Sequence, residues 1–416
     1  MTKQNICFII TMVLDMKKEI LHVDVNNAFL SWTAVEMLKN GEKIDIRTIP
    51  AIIGGDESQR HGIVLAKSQI AKQFGIVTGE PLYFARKKCP QVQVYQSKYN
   101  IYKKYSDDLY NLLLEYTDKI ERFSIDECFL DLTGYIPKQK TIYDIAKEIN
   151  RRVKEELGFT VNIGISECKV LAKMASDFEK PDKIHTLWKN EIEEKMWNLP
   201  VSELFMVGRK SVPKLNKMGI KTIGDLAKTD EKSIVKNFGK FGKMIWEYAN
   251  GIDSSKVNYI YEKPKGIGNE ITLSYDYTNI EKIKEILIAL VEQVTYRLRK
   301  QKLYATIVSV HIKNSEFKNI SHQRKLDFAT DSTKIIQEEA IKLLEEIIGN
   351  TAIRLIGIRV EGLIETEETQ ISLFKNIEYE KQKKIDTALD NLNKKYGYAS
   401  VTRAGKMNID KNIKFK

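Results

Sequence analysis

Cysteine is scarce: Cys7, Cys89, Cys128 and Cys168 are scattered over 416 residues with no Cys-x-x-Cys pair. That spacing excludes a disulfide framework, offers no zinc-ligand pattern and fits a reducing, cytoplasmic setting. A membrane-spanning run is also missing at the start of the chain. The apolar stretch from Cys7 to Leu14 is too short to cross a bilayer. It has one lysine ahead of it and no small-residue cleavage site behind it, so it does not read as a leader either. Residues 1–18 therefore read as an N-terminal extension, with Met16 a second candidate start. An excess of acid is absent too: Lys and Arg number 67 against 56 Asp and Glu, a net charge of +11. Such a balance favours an anionic partner, nucleic acid or an acidic membrane. At 43% hydrophobic and 30% charged residues the chain is ordinary for a globular protein. Its length calls for two to four domains.

What stands out is Ser124-Ile125-Asp126-Glu127-Cys128-Phe129-Leu130-Asp131, adjacent carboxylates set in a strand-forming run. A buried carboxylate is normally paired or bound to a metal. Neighbouring strand residues point to opposite faces, so both acids can reach one ion only if the chain bends here. Upstream, Ile20-Leu21-His22-Val23-Asp24-Val25 carries a third acid in similar surroundings. Three carboxylates on strand ends suit hard Mg²⁺, especially with substrate phosphates completing the shell. The other reading of these stretches is an exposed acidic turn and an unrelated strand-end Asp.

In chain order, strand 19–25 leads to a helix over 28–38, then isoleucine-rich strand material up to Ile53. Gly54-Gly55-Asp56-Glu57 shares its letters with a nucleotide-cyclase signature. That motif continues with an aromatic residue where this chain has Ser58, so a polar turn is expected. A strand over 62–68 runs into a helix from Gln69, with Lys67 and Lys72 near its start, suited to phosphate or simply a solvated basic face. A tyrosine-rich helix over 99–116 precedes the acidic hairpin. A helix over 142–157, a strand over 159–165 and a helix over 170–178 follow it. From 208 to 243 there are ten Lys/Arg against three Asp/Glu. Here Gly208-Arg209-Lys210, Leu215 and Met218-Gly219-Ile220 resemble a helix-hairpin-helix, which offers backbone N–H groups to a DNA phosphate; a plain helical spacer is the alternative. A second glycine hairpin is expected at Phe238-Gly239-Lys240-Phe241-Gly242. Residues 296–325 hold eight Lys/Arg against Glu316 alone, a basic sheet face for a phosphate backbone. Gln370-Ile371-Ser372-Leu373-Phe374, behind an acidic stretch, looks like a short peptide that docks into a partner's groove.

Together these stretches resemble the Y-family, the low-fidelity translesion DNA polymerases related to polymerase IV. The resemblance rests on Asp24-Val25-Asn26-Asn27-Ala28-Phe29, Ser124-Ile125-Asp126-Glu127, Leu171 to Phe178 with Lys180-Pro181, Gly266-Ile267-Gly268-Asn269-Glu270 and Gln370 to Phe374, in that order. It implies a multidomain α/β (α+β) right-hand polymerase: a palm sheet backed by helices over 19–29 and 98–187, and fingers over 30–97. A helical thumb with the helix-hairpin-helix over 188–255 follows, then a linker over 256–265, a β-rich little finger over 266–363 and a tail over 364–416.

By the same resemblance Asp24, Asp126 and Glu127 are the catalytic acids and, with the Val25 carbonyl, hold two Mg²⁺. Phe29 is the steric gate against a 2′-hydroxyl, and Ser68, Gln69, Lys72 and Lys180 line the triphosphate. Gly208, Lys210, Lys240, Arg299, Lys313 and Arg324 are expected on DNA, and Gln370, Leu373 and Phe374 on a sliding clamp. The implied partners are primer-template DNA, dNTPs and the clamp, with a monomeric enzyme in the cytoplasm at the nucleoid and no membrane. Gln69 and Lys72 stand where the family often has Tyr and Arg, which forfeits a bidentate grip on phosphate. Ile63 and Leu65 are large for positions that face the templating base. A non-catalytic DNA-binding repair factor and a nucleotide cyclase are the rival readings; the intact acids oppose the first, and the basic C-terminal half opposes the second.

Overall fold

A computed structural model describes residues 18–55, 62–260, 263–365, 373–397 and 401, with side chains of the last helix described from residue 381. The expected N-terminal extension, except residue 18, and Asp56-Glu57 lie outside the described residues. The chain divides into two compact units, one running to Gly54 and over Ile63–Tyr261, the other continuing from Glu262.

The first unit begins with β1 (Ile20–Val25), buried along its whole length because strands flank it on both sides. Asn27, at φ 49°, turns the chain, and its carbonyl accepts from the N–H groups of Leu30 and Ser31 to start α1 (Ala28–Lys39). A small three-stranded sheet follows, of β2 (Ala51–Gly54), β3 (Val64–Lys67) and, after α2 (Gln69–Gln73) and α3 (Leu82–Lys88), β4 (Gln93–Gln96). The expected isoleucine-rich strand shortens to β2, because Ile46–Thr48 forms a 3₁₀ turn capped by Asp45. Ile52, Val64, Ala71, Leu82, Ala85 and Cys89 give this sheet its own core.

Next comes α4 (Tyr99–Leu113), whose Tyr102, Tyr105, Leu109 and Leu112 recur at helical spacing and are buried. The main sheet then closes with β5 (Ile120–Arg122), β6 (Glu127–Asp131), α5 (Ile142–Arg152), β7 (Val161–Ser166), α6 (Lys169–Asp177) and β8 (Ile184–Thr186). Its strand order is β5-β6-β1-β7-β8, with β1 in the middle. The helix expected to reach Leu157 is α-helical only to Arg152; a wider π turn over Val153–Leu157 ends at Gly158, φ 84°. α6 packs across β7 and β1. It comes so close that a Cβ on Gly164 would sit 1.9 Å from the Ala172 carbonyl oxygen, which only glycine avoids.

A helical portion completes the unit with α7 (Val212–Lys217), α8 (Ile223–Lys228) and α9 (Glu231–Ala249) around Leu215, Ile220, Ile223, Leu226, Ile234 and Ile245. The hairpin expected around Gly239 is instead a break inside α9, where Gly239 adopts φ 62°. With the extended ψ found there, this is backbone territory close to glycine's own.

The second unit is a four-stranded antiparallel sheet, order β11-β10-β12-β9, formed by β9 (Gly266–Tyr277), β10 (Ala305–Asn314), β11 (Asn319–Thr330) and β12 (Ile353–Glu361). α10 (Ile280–Lys300) and α11 (Thr333–Ile347) pack on it, covering Val308, Val310, Ile312, Ile356, Ile358 and Val360. The last helix, α12 (Leu373–Tyr396), is tied to this unit by buried Asp386. Its Oδ2 accepts from the Thr333 N–H at 3.1 Å and so caps the start of α11.

Candidate active site

The antiparallel register of β1 and β6 sets Asp24 directly opposite Glu127, so the two side chains share a face. Asp126 lies one residue earlier, in the bend joining β5 to β6, which meets the need for a break in strand alternation. The Val25 N–H donates to the Asp126 carbonyl at 3.0 Å and pins this bend to the end of β1. Ser124 Oγ donates to Asp126 Oδ1 at 2.7 Å and orients the carboxylate.

Two lysines supply the counter-charge. Lys173 of α6 lies 2.5 Å from Glu127 Oε1, 3.6 Å from Asp24 Oδ2 and 3.3 Å from Asp177. Lys180 lies 2.5 Å from Asp24 Oδ2 and 2.7 Å from Asp177 Oδ1. Burial pushes the Asp24 carboxyl up against the pull of Lys180 and Lys173. Burial works to lower both lysines, but Asp24, Asp177 and, for Lys173, Glu127 outweigh it and hold both ammonium groups above their ordinary value. Among the described residues the acids form no ready-made three-ligand cluster. The donor set is nevertheless all hard oxygen, and charge-balancing cations already sit on it, which fits a site for a hard divalent ion.

Lys173 is the functional candidate that sequence reasoning passed over. It lies inside the Leu171–Phe178 motif, and its one signal was a lysine at four-residue spacing from Asp177 on an otherwise buried helix face. Lys173→Ala should leave buried Asp24 and half-buried Glu127 facing each other without their shared cation and lower stability by about 1–3 kcal/mol. Thermal melts in chelator and in Mg²⁺ check this: the deficit should be largest in chelator, and an equal loss in both would overturn the charge-balance account.

A cleft of about 330 Å³ opens beside these acids, lined by Asp24, Asn27, Phe29, Leu65, Gln69, Lys72 and Asp126 among others. The Phe29 ring is held by stacking on Tyr102, centroids 4.5 Å apart and 9° from parallel. Lys67, also in the lining, has its ammonium lowered by burial and by Lys72, and donates to Thr78 Oγ1 at 3.2 Å. Ser68 is buried and departs from expectation. It donates to the Ile49 carbonyl at 2.7 Å and accepts from the Ala71 N–H at 3.0 Å. Its hydroxyl therefore caps α2 rather than facing the cleft.

The residues expected on DNA separate by environment. Gly208, Lys210 and Lys240 are exposed, the first two just before α7 and Lys240 just after the break in α9. In the second unit Lys313 shares the helix-free face of the sheet with His311 and Ser309, opposite the buried Val310 and Ile312. Arg324 does not. Its register partner is the buried Val308, so it turns to the helix side, where it binds Glu339 at 2.5 Å and also Glu346. The neighbouring Lys325, paired with Ile307, takes the open face instead. Arg299, unlike Arg324, is internal. Its Nε lies 2.6 Å from Asp390 Oδ2, its Nη2 3.0 Å from Oδ1, and its Nη1 donates to the Asp331 carbonyl and Thr333 Oγ1, both at 3.0 Å. A basic stretch in sequence is thus split by register into two faces. Gln370 lies outside the described residues; Leu373 and Phe374 open α12, and their side chains are not described.

Residues 23–177 match the impB/mucB/samB family, residues 264–373 that family's C-terminal domain, and residues 202–253 the DNA polymerase-iota thumb domain. The chain belongs to the impB/mucB/samB family, that of the Y-family DNA polymerases. This Y-family chain is 51% identical over 389 residues to the DNA polymerase IV of Clostridium acetobutylicum, covering 94% of this chain and 98% of the relative. It is 38% identical over 393 residues to that of Acetivibrio thermocellus, covering 93% and 97%. A solved Y-family DNA polymerase chimera of Dbh and Dpo4 shares the fold, with TM-score 0.72 at 21% identity over 84% of this chain and all of that one. Membership implies dependence on a divalent metal. No described helix is long and apolar enough to cross a membrane.

Proposed function

We propose that this DNA-directed DNA polymerase extends primers across damaged as well as intact template by two-metal nucleotidyl transfer. The observation that carries the mechanism is the pairing of Asp24 with Glu127 across β1 and β6, with Asp126 in the adjoining bend lining the cleft together with Asp24. Asp24, Asp126, Glu127 and the Val25 carbonyl hold two Mg²⁺. When bound, such ions lower the pKa of the primer 3′-hydroxyl and neutralise the triphosphate. Lys180 exchanges Asp24 for a phosphate oxygen as the nucleotide enters, while Lys72 and Gln69 hold the outer phosphates. Lys173 keeps Glu127 in place throughout. Residues 19–29 and 98–187 act as palm, 30–97 as fingers, 188–255 as thumb and 266–363 as little finger. Gly208, Lys210 and Lys240 meet the duplex backbone from the thumb, and Lys313 from the open sheet face. The enzyme works as a monomer at the nucleoid. Primer extension with four dNTPs and Mg²⁺, on intact and abasic templates, tests the reading. Extension that stops at the abasic site would remove the translesion part, and no extension on either template would remove the whole.

Phe29 packs against the sugar, its ring fixed by Tyr102. A gate of this kind excludes one hydroxyl sterically, so Phe29→Ala should lower discrimination against rNTPs by about a hundredfold. Single-nucleotide kinetics with a matched dNTP and rNTP pair checks it; unchanged discrimination would assign the ring to packing alone.

Gln370 to Phe374 recruits a sliding clamp. Gln370→Ala with Leu373→Ala and Phe374→Ala should leave distributive synthesis intact and abolish stimulation by added clamp. A variant that still responds would put the docking site elsewhere.

A further inference from the structure

The short helix α3 presents a face that the proposed chemistry does not use. Leu82 and Ala85, with Cys89 behind them, enter the core of the small sheet. On the outer side Tyr83 is 60% exposed and Phe84 50% exposed, their rings edge-on with centroids 5.5 Å apart. Lys87, on the same face by helical spacing, holds its ammonium 4.6 Å from the Tyr83 ring centroid. The helix contains no acid, and Arg86, Lys87 and Lys88 fill its last turn. Lys88 is engaged elsewhere, on Glu80 at 2.6 Å and the Gly75 carbonyl at 2.8 Å, and staples the helix down.

This face adjoins the cleft through the backbone. Pro81, immediately before α3, bridges to Ile63, itself 43% exposed and two residues from Leu65 in the cleft lining. The strand that brings Leu65 to the cleft thus carries exposed Ile63 alongside Pro81, the residue from which α3 and its two rings start. Two large rings left in water on one helix mark a surface with a partner. Rings interleaved with lysine and no acid suit an anionic chain that carries its own flat apolar groups. Duplex DNA does not qualify, because its bases are already stacked on one another. Unpaired bases do, since each offers a π-face to a ring and a phosphate to a neighbouring cation.

We infer that the outer face of α3, Tyr83, Phe84 and Lys87, is a stacking platform for the unpaired template strand ahead of the nucleotide being copied. The inference rests on the reading of this chain as a template-directed polymerase. The platform would hold the incoming template straight without reading its sequence, and would bind lesions and intact bases alike.

Equilibrium binding of the full chain to primer-templates with a one-nucleotide or an about eight-nucleotide 5′ overhang tests it, the longer one spanning a typical single-strand site. The wild-type chain should bind the longer overhang about tenfold more tightly. Tyr83→Ala/Phe84→Ala should lose that preference while keeping affinity and extension rate on the short overhang. Tyr83→Phe/Phe84→Tyr, which keeps both rings, should retain it. A 2-aminopurine in the overhang should be quenched on binding by the wild-type chain and not by the alanine variant. Equal affinity of the wild-type chain for both overhangs, or an undiminished preference in the alanine variant, would overturn the platform and leave this face to a protein partner. Failure of the polymerase reading is distinguishable, because it would show as no extension even on the short overhang.

Discussion

Alanine at Asp126 and Glu127 together should reduce primer extension by about a thousandfold or more, while primer-template affinity stays close to the wild-type value. Loss of a single preorganised electrostatic contact to the developing charge typically lowers turnover by about 10²–10³-fold. Here two of three carboxylates would go, and with them the proposed grip on both metal ions. Neither residue is deep in the core: both are half-buried, and Asp126 sits in a bend held by the Val25 N–H, a backbone contact that alanine keeps. The fold should therefore survive. Removing Glu127 does release Lys173, but Asp24 and Asp177 remain as its partners at 3.6 and 3.3 Å. Steady-state extension, anisotropy binding and a thermal melt on the same preparation separate the outcomes. Lost extension with retained binding and melting supports the metal site. Retained extension would remove Asp126 and Glu127 from the chemistry. Lost extension with a collapsed melt would recast the pair as structural, and Asp126→Asn, which keeps the shape of the bend, would then decide whether charge matters.

The parts of this site that were legible in the sequence are those set by local pattern. An apolar run holding Asp24, and a second holding Asp126 and Glu127 behind Ser124, announce strands that end in acids. The bend follows from the alternation of strand side chains once both acids are required to reach one ion. What was not legible depends on pairing between distant segments. Lys173 reads as one polar residue in a helical motif until α6 is laid across β1, and only then does its ammonium meet Asp24 and Glu127. Ser68 reads as a phosphate ligand by position, yet its hydroxyl donates to the carbonyl of Ile49, just ahead of β2. Gly239 shows the same limit in the backbone. A glycine between phenylalanine and lysine suits a hairpin as well as a helix break, and here it makes the break.

Charge counting alone does not say which basic residues of the second unit face outward, for the same reason, and the division can be measured. Arg299→Ala should destabilise that unit by about 3–5 kcal/mol, the usual cost of stranding a buried partner. For a unit of this size the shift in melting temperature is on the order of 10 °C. The guanidinium is 13% exposed and forks onto Asp390, while Asp386, 2% exposed, lies 3.7 Å away and caps α11. Arg299→Lys restores charge without the fork and should recover only part of the loss. Arg324→Ala removes single contacts to two glutamates, Glu339 and Glu346, and that arginine's side chain is 42% exposed. Water screens such a pair, so the melt should barely move. DNA affinity should divide these residues differently. Lys325 and Lys313 share the open face of the sheet, so alanine at either should lower the slope of log affinity against log salt by about one. Arg324→Ala, one residue from Lys325 but on the opposite face, should leave that slope unchanged. If Arg324 weakened the salt dependence and Lys325 did not, the register of β10 and β11 would be the wrong guide to which face meets the phosphates.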